Sequence, residues 1–262
     1  MTVSDPEPLH VKAKICGIRS GDDLTKAHTA GAEAVGLICG VTHFSEDCLL
    51  PDEAKRLSTR AIELWGQGAV TRTLVTHEAN PDTILGFAEL IGVERIQLHG
   101  LIPDETVHAV MNHRDGREVY RAVHVTDLDG AGPADALDAA LRAAEFGCAG
   151  VVLDTRTSDR IGGTGRVHDW TISRKIVEAL AGTSTQVSLA GGLTPDNVRE
   201  AIDEVRPHSV DVNTGVQEPG DLDKSATRCE AFTRIAHSWT YTDHPLHATF
   251  TEPKALLGAG AR

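Results

Sequence analysis

Gln186-Val187-Ser188-Leu189-Ala190-Gly191-Gly192-Leu193-Thr194-Pro195-Asp196 decides the fold. A strand-length run leads into a double-glycine turn and then a helix start. Thr194 can cap a helix, and Pro195 follows at the first helical residue, where a missing N–H does no harm. The same order of signals recurs along the chain. Strands are predicted over residues 11–16, 34–38, 70–75, 95–98, 119–123, 150–153, 186–189 and 209–212. Ser20-Gly21-Asp22-Asp23 opens a helix to about Ala30, and Pro51-Asp52-Glu53 opens another. Asn80-Pro81-Asp82 repeats the cap-and-proline pattern, and His168-Asp169-Trp170 precedes a helix through Leu180.

These are eight βα units of about 25 to 35 residues each. That count predicts an α/β (β/α)₈ TIM barrel over residues 11–237. The competing architecture is a doubly wound open sheet. It would carry GxGxxG after its first strand, and Cys16-Gly17-Ile18-Arg19-Ser20-Gly21 does not. Residues 1–10 read as an N-terminal tail. Residues 238–262, with Tyr241, Pro245 and Pro253, read as a short C-terminal extension without a catalytic part.

Bulk properties narrow the function. The 262 residues are 40% hydrophobic, enough for a core without disulfides or metal. Five cysteines, odd in number and widely spaced, form no disulfide framework. The thirteen histidines show neither HExxH nor zinc-finger spacing, so neither metal nor cofactor is expected. A net charge of −13 argues against nucleic acid as a partner. It leaves open a small anionic substrate held by backbone amides and a few arginines. No run approaches the roughly 18 apolar residues of a membrane span, and the first ten residues lack an apolar signal core. The expectation is a soluble cytoplasmic protein with no membrane partner, either monomer or homodimer.

In a (β/α)₈ barrel, chemistry gathers at the C-terminal ends of the strands. The residues there are Cys16, Cys39, His77, His99, His124, Asp154, Gly191-Gly192 and Asn213-Thr214-Gly215. The turns after the seventh and eighth strands together read as a phosphate grip, although either alone is an ordinary tight turn. Cys16 shares a strand face with Lys14, whose ammonium would favour the thiolate. A base and a small buried hydrophobe are equally consistent with that spacing. Asp154 closes an apolar strand. It is either a general acid, which requires a raised pKa, or a carboxylate paired with Arg156 or Arg160. His99 reads as an acid–base group or, more plainly, as a histidine satisfied at the barrel mouth.

Six motifs then converge on one family. They are Lys14-Ile15-Cys16-Gly17-Ile18, Gln97-Leu98-His99-Gly100, Leu153-Asp154, Gly162-Gly163-Thr164-Gly165 with Asp169-Trp170, Leu189-Ala190-Gly191-Gly192-Leu193, and Val210-Asp211-Val212-Asn213-Thr214-Gly215-Val216. In order and register, from about Val11 to Ile235, the chain resembles phosphoribosylanthranilate isomerases of tryptophan biosynthesis. The resemblance implies a cofactor-free Amadori rearrangement of a small phosphorylated sugar-amine. Asp154 would be the general acid and Cys16 the general base. Gly163, Thr164, Gly191, Gly192, Asn213, Thr214 and Gly215 would line the phosphate side.

One departure stands out. After the second strand the family carries an arginine that holds the carboxylate of the anthranilate ring. Counting back from Pro51, that position holds Asp47, next to Glu46. An acid there reverses the sign of the contact. Either Arg156, Arg160 or Arg19 takes over, or the amine is not anthranilate. A non-catalytic barrel that binds a phosphorylated ligand is the third possibility, and retention of both Cys16 and Asp154 speaks against it.

Overall fold

The computed structural model describes residues 10–42, 44–125, 133–157, 160–161 and 168–240. Eight strands close into a parallel barrel: β1 (Lys12–Ile15), β2 (Ala34–Ile38), β3 (Thr71–Thr76), β4 (Arg95–Leu98), β5 (Glu118–Val125), β6 (Gly150–Thr157), β7 (Gln186–Leu189) and β8 (Ser209–Val212). Each pairs with its sequence neighbour, and β8 pairs with β1 to complete the ring. The outer end of β6 also folds into an antiparallel hairpin with Arg160–Ile161.

Eight helices cover the barrel: α1 (Gly21–Ala30), α2 (Pro51–Trp65), α3 (Pro81–Ile91), α4 (Asp104–His113), α5 (Pro133–Glu145), α6 (Trp170–Leu180), α7 (Val198–Val205) and α8 (Ala226–His237). Local chemistry starts several of them where the sequence predicts. The Ser20 side chain accepts from the Asp23 amide and Asp23 answers back, a capping box. Asn80 caps α3 ahead of Pro81, and Asp169 caps α6. The start of α7 differs. Thr194 Oγ1 accepts from the Asp196 amide, and the Thr194 amide donates to Asn197, so Thr194-Pro195-Asp196 forms a turn. The helix begins only at Val198. A short side chain can bond its neighbouring backbone in a turn as readily as at a helix end, and here the turn prevails.

The strands sort their faces by chemistry. Ala13 and Ile15 join the apolar layer beneath the helices, with Val35, Leu37, Leu74, Ile96, Leu98, Leu153 and Val210. Lys14 turns the other way, into the barrel, and reaches β4 and β8. The barrel axis is therefore polar and densely bonded, and it positions the mouth residues. Among the described residues no helix is long and apolar enough to cross a membrane. The proposed tail before His10 and the C-terminal extension beyond Thr240 lie outside the described residues.

Candidate active site

The barrel mouth is organised by a chain of buried hydrogen bonds. Lys14 Nζ donates to Asp211 Oδ2 at 2.6 Å and to Gln97 Oε1 at 3.0 Å. With its oxygen so engaged, Gln97 turns its amide nitrogen to His99 Nδ1, 3.0 Å away. An amide nitrogen only donates, so Nδ1 accepts and the neutral ring carries its proton on Nε2. His99 Nε2 lies 3.1 Å from Asp154 Oδ2. The other Asp154 oxygen accepts the Thr155 amide at 2.8 Å. His77 stacks on His99 with centroids 5.4 Å apart, and His124 meets His99 edge-on at 5.7 Å. His99 is thus satisfied at both nitrogens, and one of its partners is Asp154.

Cys16 sits at the end of β1 on the same inward face as Lys14, 7% exposed. Gly36 of β2 makes room for it: a Cβ there would stand 2.5 Å from the Cys16 sulfur. Burial pushes the Cys16 thiol up; Lys14 and Lys224 pull it down, Asp211 opposes them, and the thiol stays above its ordinary value. The ammonium expected beside Cys16 is present, but its charge is shared with Asp211, so it does not by itself produce a thiolate. Asp154 runs the opposite way to the requirement for a free-standing acid. Burial would raise it, but the hydrogen bond from His99, the electrostatic attraction of the His99 and His124 rings and the Thr155 amide together bring it below its ordinary value. The general-acid reading therefore needs the His99–Asp154 pair, not the carboxyl alone.

The two glycine turns meet beside this pair. Gly191 and Gly192 both adopt left-handed backbone, with φ of 81° and 68°. A Cβ on Gly191 would collide with Thr155, so the turn lies directly against the residue after Asp154. Thr214 begins the 3₁₀ turn Thr214–Val216, and a Cβ on Gly215 would collide with the Leu193 carbonyl. The loops after β7 and β8 thus touch, as a shared phosphate cradle requires.

A model of the N-(5'phosphoribosyl)anthranilate (PRA) isomerase family matches residues 13–229. The chain belongs to that family. The isomerase of Haloferax volcanii is 35% identical over 219 residues, covering 83% of this chain and 90% of the relative. An N-(5'-phosphoribosyl)anthranilate isomerase 2 of Methanosarcina mazei is 33% identical over 79% of this chain and 86% of its own length. The crystal structure of the Thermotoga maritima isomerase superposes with a TM-score of 0.71 at 31% identity, covering 87% of this chain and all of that one.

Within this isomerase family framework, the ring-side departure takes physical form. Asp47 is buried, and Asn213 Nδ2 donates to its Oδ2 at 2.8 Å. Asn213 Oδ1 in turn accepts from Lys224 Nζ at 2.6 Å. A Cβ on Gly17, at φ 67°, would collide with the Asn213 side chain, which keeps this cluster beside Cys16. Asp47 is therefore one member of an internal Asp–Asn–Lys cluster, while Glu46 points to solvent. Asn213's side chain is committed there, and its carbonyl also accepts from Lys224 Nζ at 3.2 Å. Arg19 lies across the loop before α8, 3.9 Å from Asp223. Gly163 and Thr164 fall outside the described residues, as do the side chains of Arg156 and Arg160.

Sequence reading missed Gln97, Asp211, Lys224 and His168 as parts of the site. Lys14 and Asp211 carried a signal, since each interrupts an apolar strand. Lys224 carried none: it lies in a loop yet is fully buried. His168 bonds Thr155 Oγ1 at 2.9 Å and Ser173 Oγ at 2.6 Å, behind Asp154.

Proposed function

We propose that this protein catalyses the Amadori rearrangement of N-(5'-phosphoribosyl)anthranilate, with His99–Asp154 as the proton donor and Cys16 as the base. The observation that supports the reading is the buried chain Lys14–Gln97–His99–Asp154, with Cys16 beside Lys14 on the same strand face. A solved family member bound to reduced 1-(o-carboxyphenylamino)-1-deoxyribulose 5-phosphate, 29% identical with a TM-score of 0.67, supports the substrate class.

Asp154 delivers a proton to the ribose ring oxygen as the bond from C1 to that oxygen breaks. The nitrogen lone pair forms the C=N bond. Cys16 takes the proton on C2, and the C–H electrons become the C1=C2 bond while the C=N pair returns to nitrogen. The enol then becomes the ketone, giving the 1-amino-1-deoxyribulose phosphate. Gly191, Gly192 and the Asn213–Gly215 backbone hold the phosphate, with Gly163 and Thr164 assigned to the same side. The barrel of residues 11–237 supplies all of these groups. The Thermotoga maritima isomerase is described as dimeric, and a homodimer is the assembly we assign here.

Burial favours the protonated Cys16 thiol, and the partners of Asp154 favour its ionised form. The first step uses the reverse. An arriving phosphate and ring carboxylate are anions and favour protonation of Asp154. The pair keeps one proton across the whole range between the lowered carboxyl and the raised thiol. kcat/KM should therefore be flat through neutral pH, falling only at acid and alkaline extremes.

The direct test mixes purified protein with phosphoribosylanthranilate and follows loss of its fluorescence. No turnover by a folded protein overturns the proposal. A second reading keeps the proton chemistry and changes the amine. It is favoured by Asp47 Oδ1, buried without a hydrogen-bond partner among the described residues, which could accept an N–H or O–H from another substrate. Turnover of a different phosphoribosyl amine, faster than of the anthranilate, would establish it.

A further inference from the structure

The end of the barrel opposite the proton carriers holds three convergent side chains. His10 precedes β1, Glu33 lies between α1 and β2, and His237 ends α8. His10 Nε2 is 2.7 Å from Glu33 Oε1, and His237 Nε2 is 3.0 Å from the same oxygen. One ligand atom from each residue lies within 4.8 Å of the other two. The two imidazoles meet edge to face, with centroids 4.6 Å apart and planes 62° apart, so both Nε2 atoms turn to one point without a clash.

The surroundings hold the three in place. Glu33 Oε2 accepts the Ala13 amide at 2.9 Å, which orients the carboxylate; His10 bonds Oε1, and His237 Nε2 lies 3.0 and 3.1 Å from the two oxygens. His10 is pinned by a backbone bridge to Thr240, just beyond α8. Burial would raise the Glu33 carboxyl, but the hydrogen bonds from His237, Ala13 and His10 bring it down to about 2, so it is an anion at neutral pH. The three side chains are about one-third exposed, which gives an ion a path and room for water ligands.

We propose that His10, Glu33 and His237 bind a borderline divalent transition-metal ion, with Zn²⁺ as the expected occupant and water completing its shell. Two imidazole nitrogens and one carboxylate oxygen suit Zn²⁺, Cu²⁺ and Ni²⁺, whereas Mg²⁺ and Ca²⁺ require more oxygen ligands. Zinc bonds of about 2.0 to 2.1 Å put tetrahedral ligands about 3.3 Å apart. The two histidine–glutamate separations, 2.7 and 3.0 Å, are shorter than that, so these groups would relax outward around the ion. The Glu33 carboxylate bonded by a backbone amide is the kind of outer support that fixes a ligand's direction.

The ion would tie the approach to β1, the entry to β2 and the end of α8. These are the first and last parts of the barrel, so it would brace the seam where the ring closes and take no part in proton transfer at the other end. The site escapes motif searches because its members stand 23 and 204 residues apart. Only the closure of the barrel makes them neighbours.

The test uses the full chain, stripped with EDTA and titrated with ZnCl₂ by calorimetry and thermal unfolding. One ion per chain is expected. With free Zn²⁺ a hundredfold above the dissociation constant, the unfolding midpoint should rise by about 5 to 10 °C. Mg²⁺ at the same concentration should leave it unchanged. His10→Gln and His237→Gln should each weaken binding at least about tenfold. Anomalous scattering at the zinc edge from crystals of the unaltered protein locates the ion even where a variant fails to fold. The proposal is overturned if no binding occurs below about millimolar Zn²⁺. It is equally overturned if both variants bind as before, if the ion lies elsewhere, or if Cys48→Ser removes the binding instead.

Discussion

Gln97→Glu is the sharpest perturbation of the proton path, because it reverses one hydrogen bond and leaves the volume nearly unchanged. In the native site Lys14 occupies the Gln97 oxygen, so the amide nitrogen donates to His99 Nδ1. The ring is neutral, with its Nε2 proton facing Asp154 at 3.1 Å. The new carboxylate has no proton to donate, so Nδ1 must carry its own. His99 then becomes an imidazolium held between two carboxylates. Its bond to Asp154 changes from neutral-donor to charge-assisted, a gain of about 1 to 1.5 kcal/mol. That gain stabilises ionised Asp154 and lowers its proton affinity about tenfold. kcat/KM for phosphoribosylanthranilate should fall by about the same factor. Two assays check it: steady-state fluorescence for turnover, and ¹⁵N NMR of the histidines for the ring protons. The reasoning fails if the native spectrum places the His99 proton on Nδ1. It fails equally if the variant shows the imidazolium yet keeps native kcat/KM.

Further consequences follow from the same geometry. Gly36→Ala would place a methyl carbon 2.5 Å from the Cys16 sulfur and displace the thiol; about a hundredfold loss of kcat with an intact fold is expected, and native kcat would show that the thiol's position is not critical. Asp47→Asn keeps the contact with Asn213 while removing a carboxylate near the substrate. KM for the anthranilate substrate should fall severalfold at constant kcat, whereas a rise would mean that Asp47 binds a donor on the substrate. Burial lowers the pKa values of His168 and His208 to about 4, well below the ordinary imidazole value of about 6.5. The unfolded chain therefore takes up these protons first as pH falls. Stability should be intact above about pH 6.5 and decline toward pH 4, by about 2 kcal/mol for each histidine after allowing for partial exposure. Chemical denaturation across that range checks it, and an unchanged slope in His168→Gln would refute the assignment.

Much of the architecture was readable along the chain because its signals are local. The predicted strands over residues 34–38, 95–98, 186–189 and 209–212 match β2, β4, β7 and β8 end to end. Ser20, Asn80 and Asp169 act at the helix starts expected of them. Thr194 did not start α7 because a turn and a helix cap use the same side-chain bond, and only packing chose between them. At the site, Cys16 and Asp154 were legible as polar groups closing apolar strands. Their charge states were not, because each balances burial against partners on other strands: Lys14 and Asp211 for the thiol, His99 and His124 for the carboxyl.

The sequence alone determined the eightfold alternation, the glycine turns and the polar ends Cys16 and Asp154 of two apolar strands, since backbone propensity and hydrophobic period act over a few residues. The tertiary structure alone decided who bonds to whom across the barrel. It joined Lys14 to Gln97 and Asp211, Asp47 through Asn213 to Lys224, and His10 through Glu33 to His237. Such pairs depend on strand register and ring closure, which bring together residues from opposite ends of the chain. The energy of a buried polar group depends on the partners so assembled.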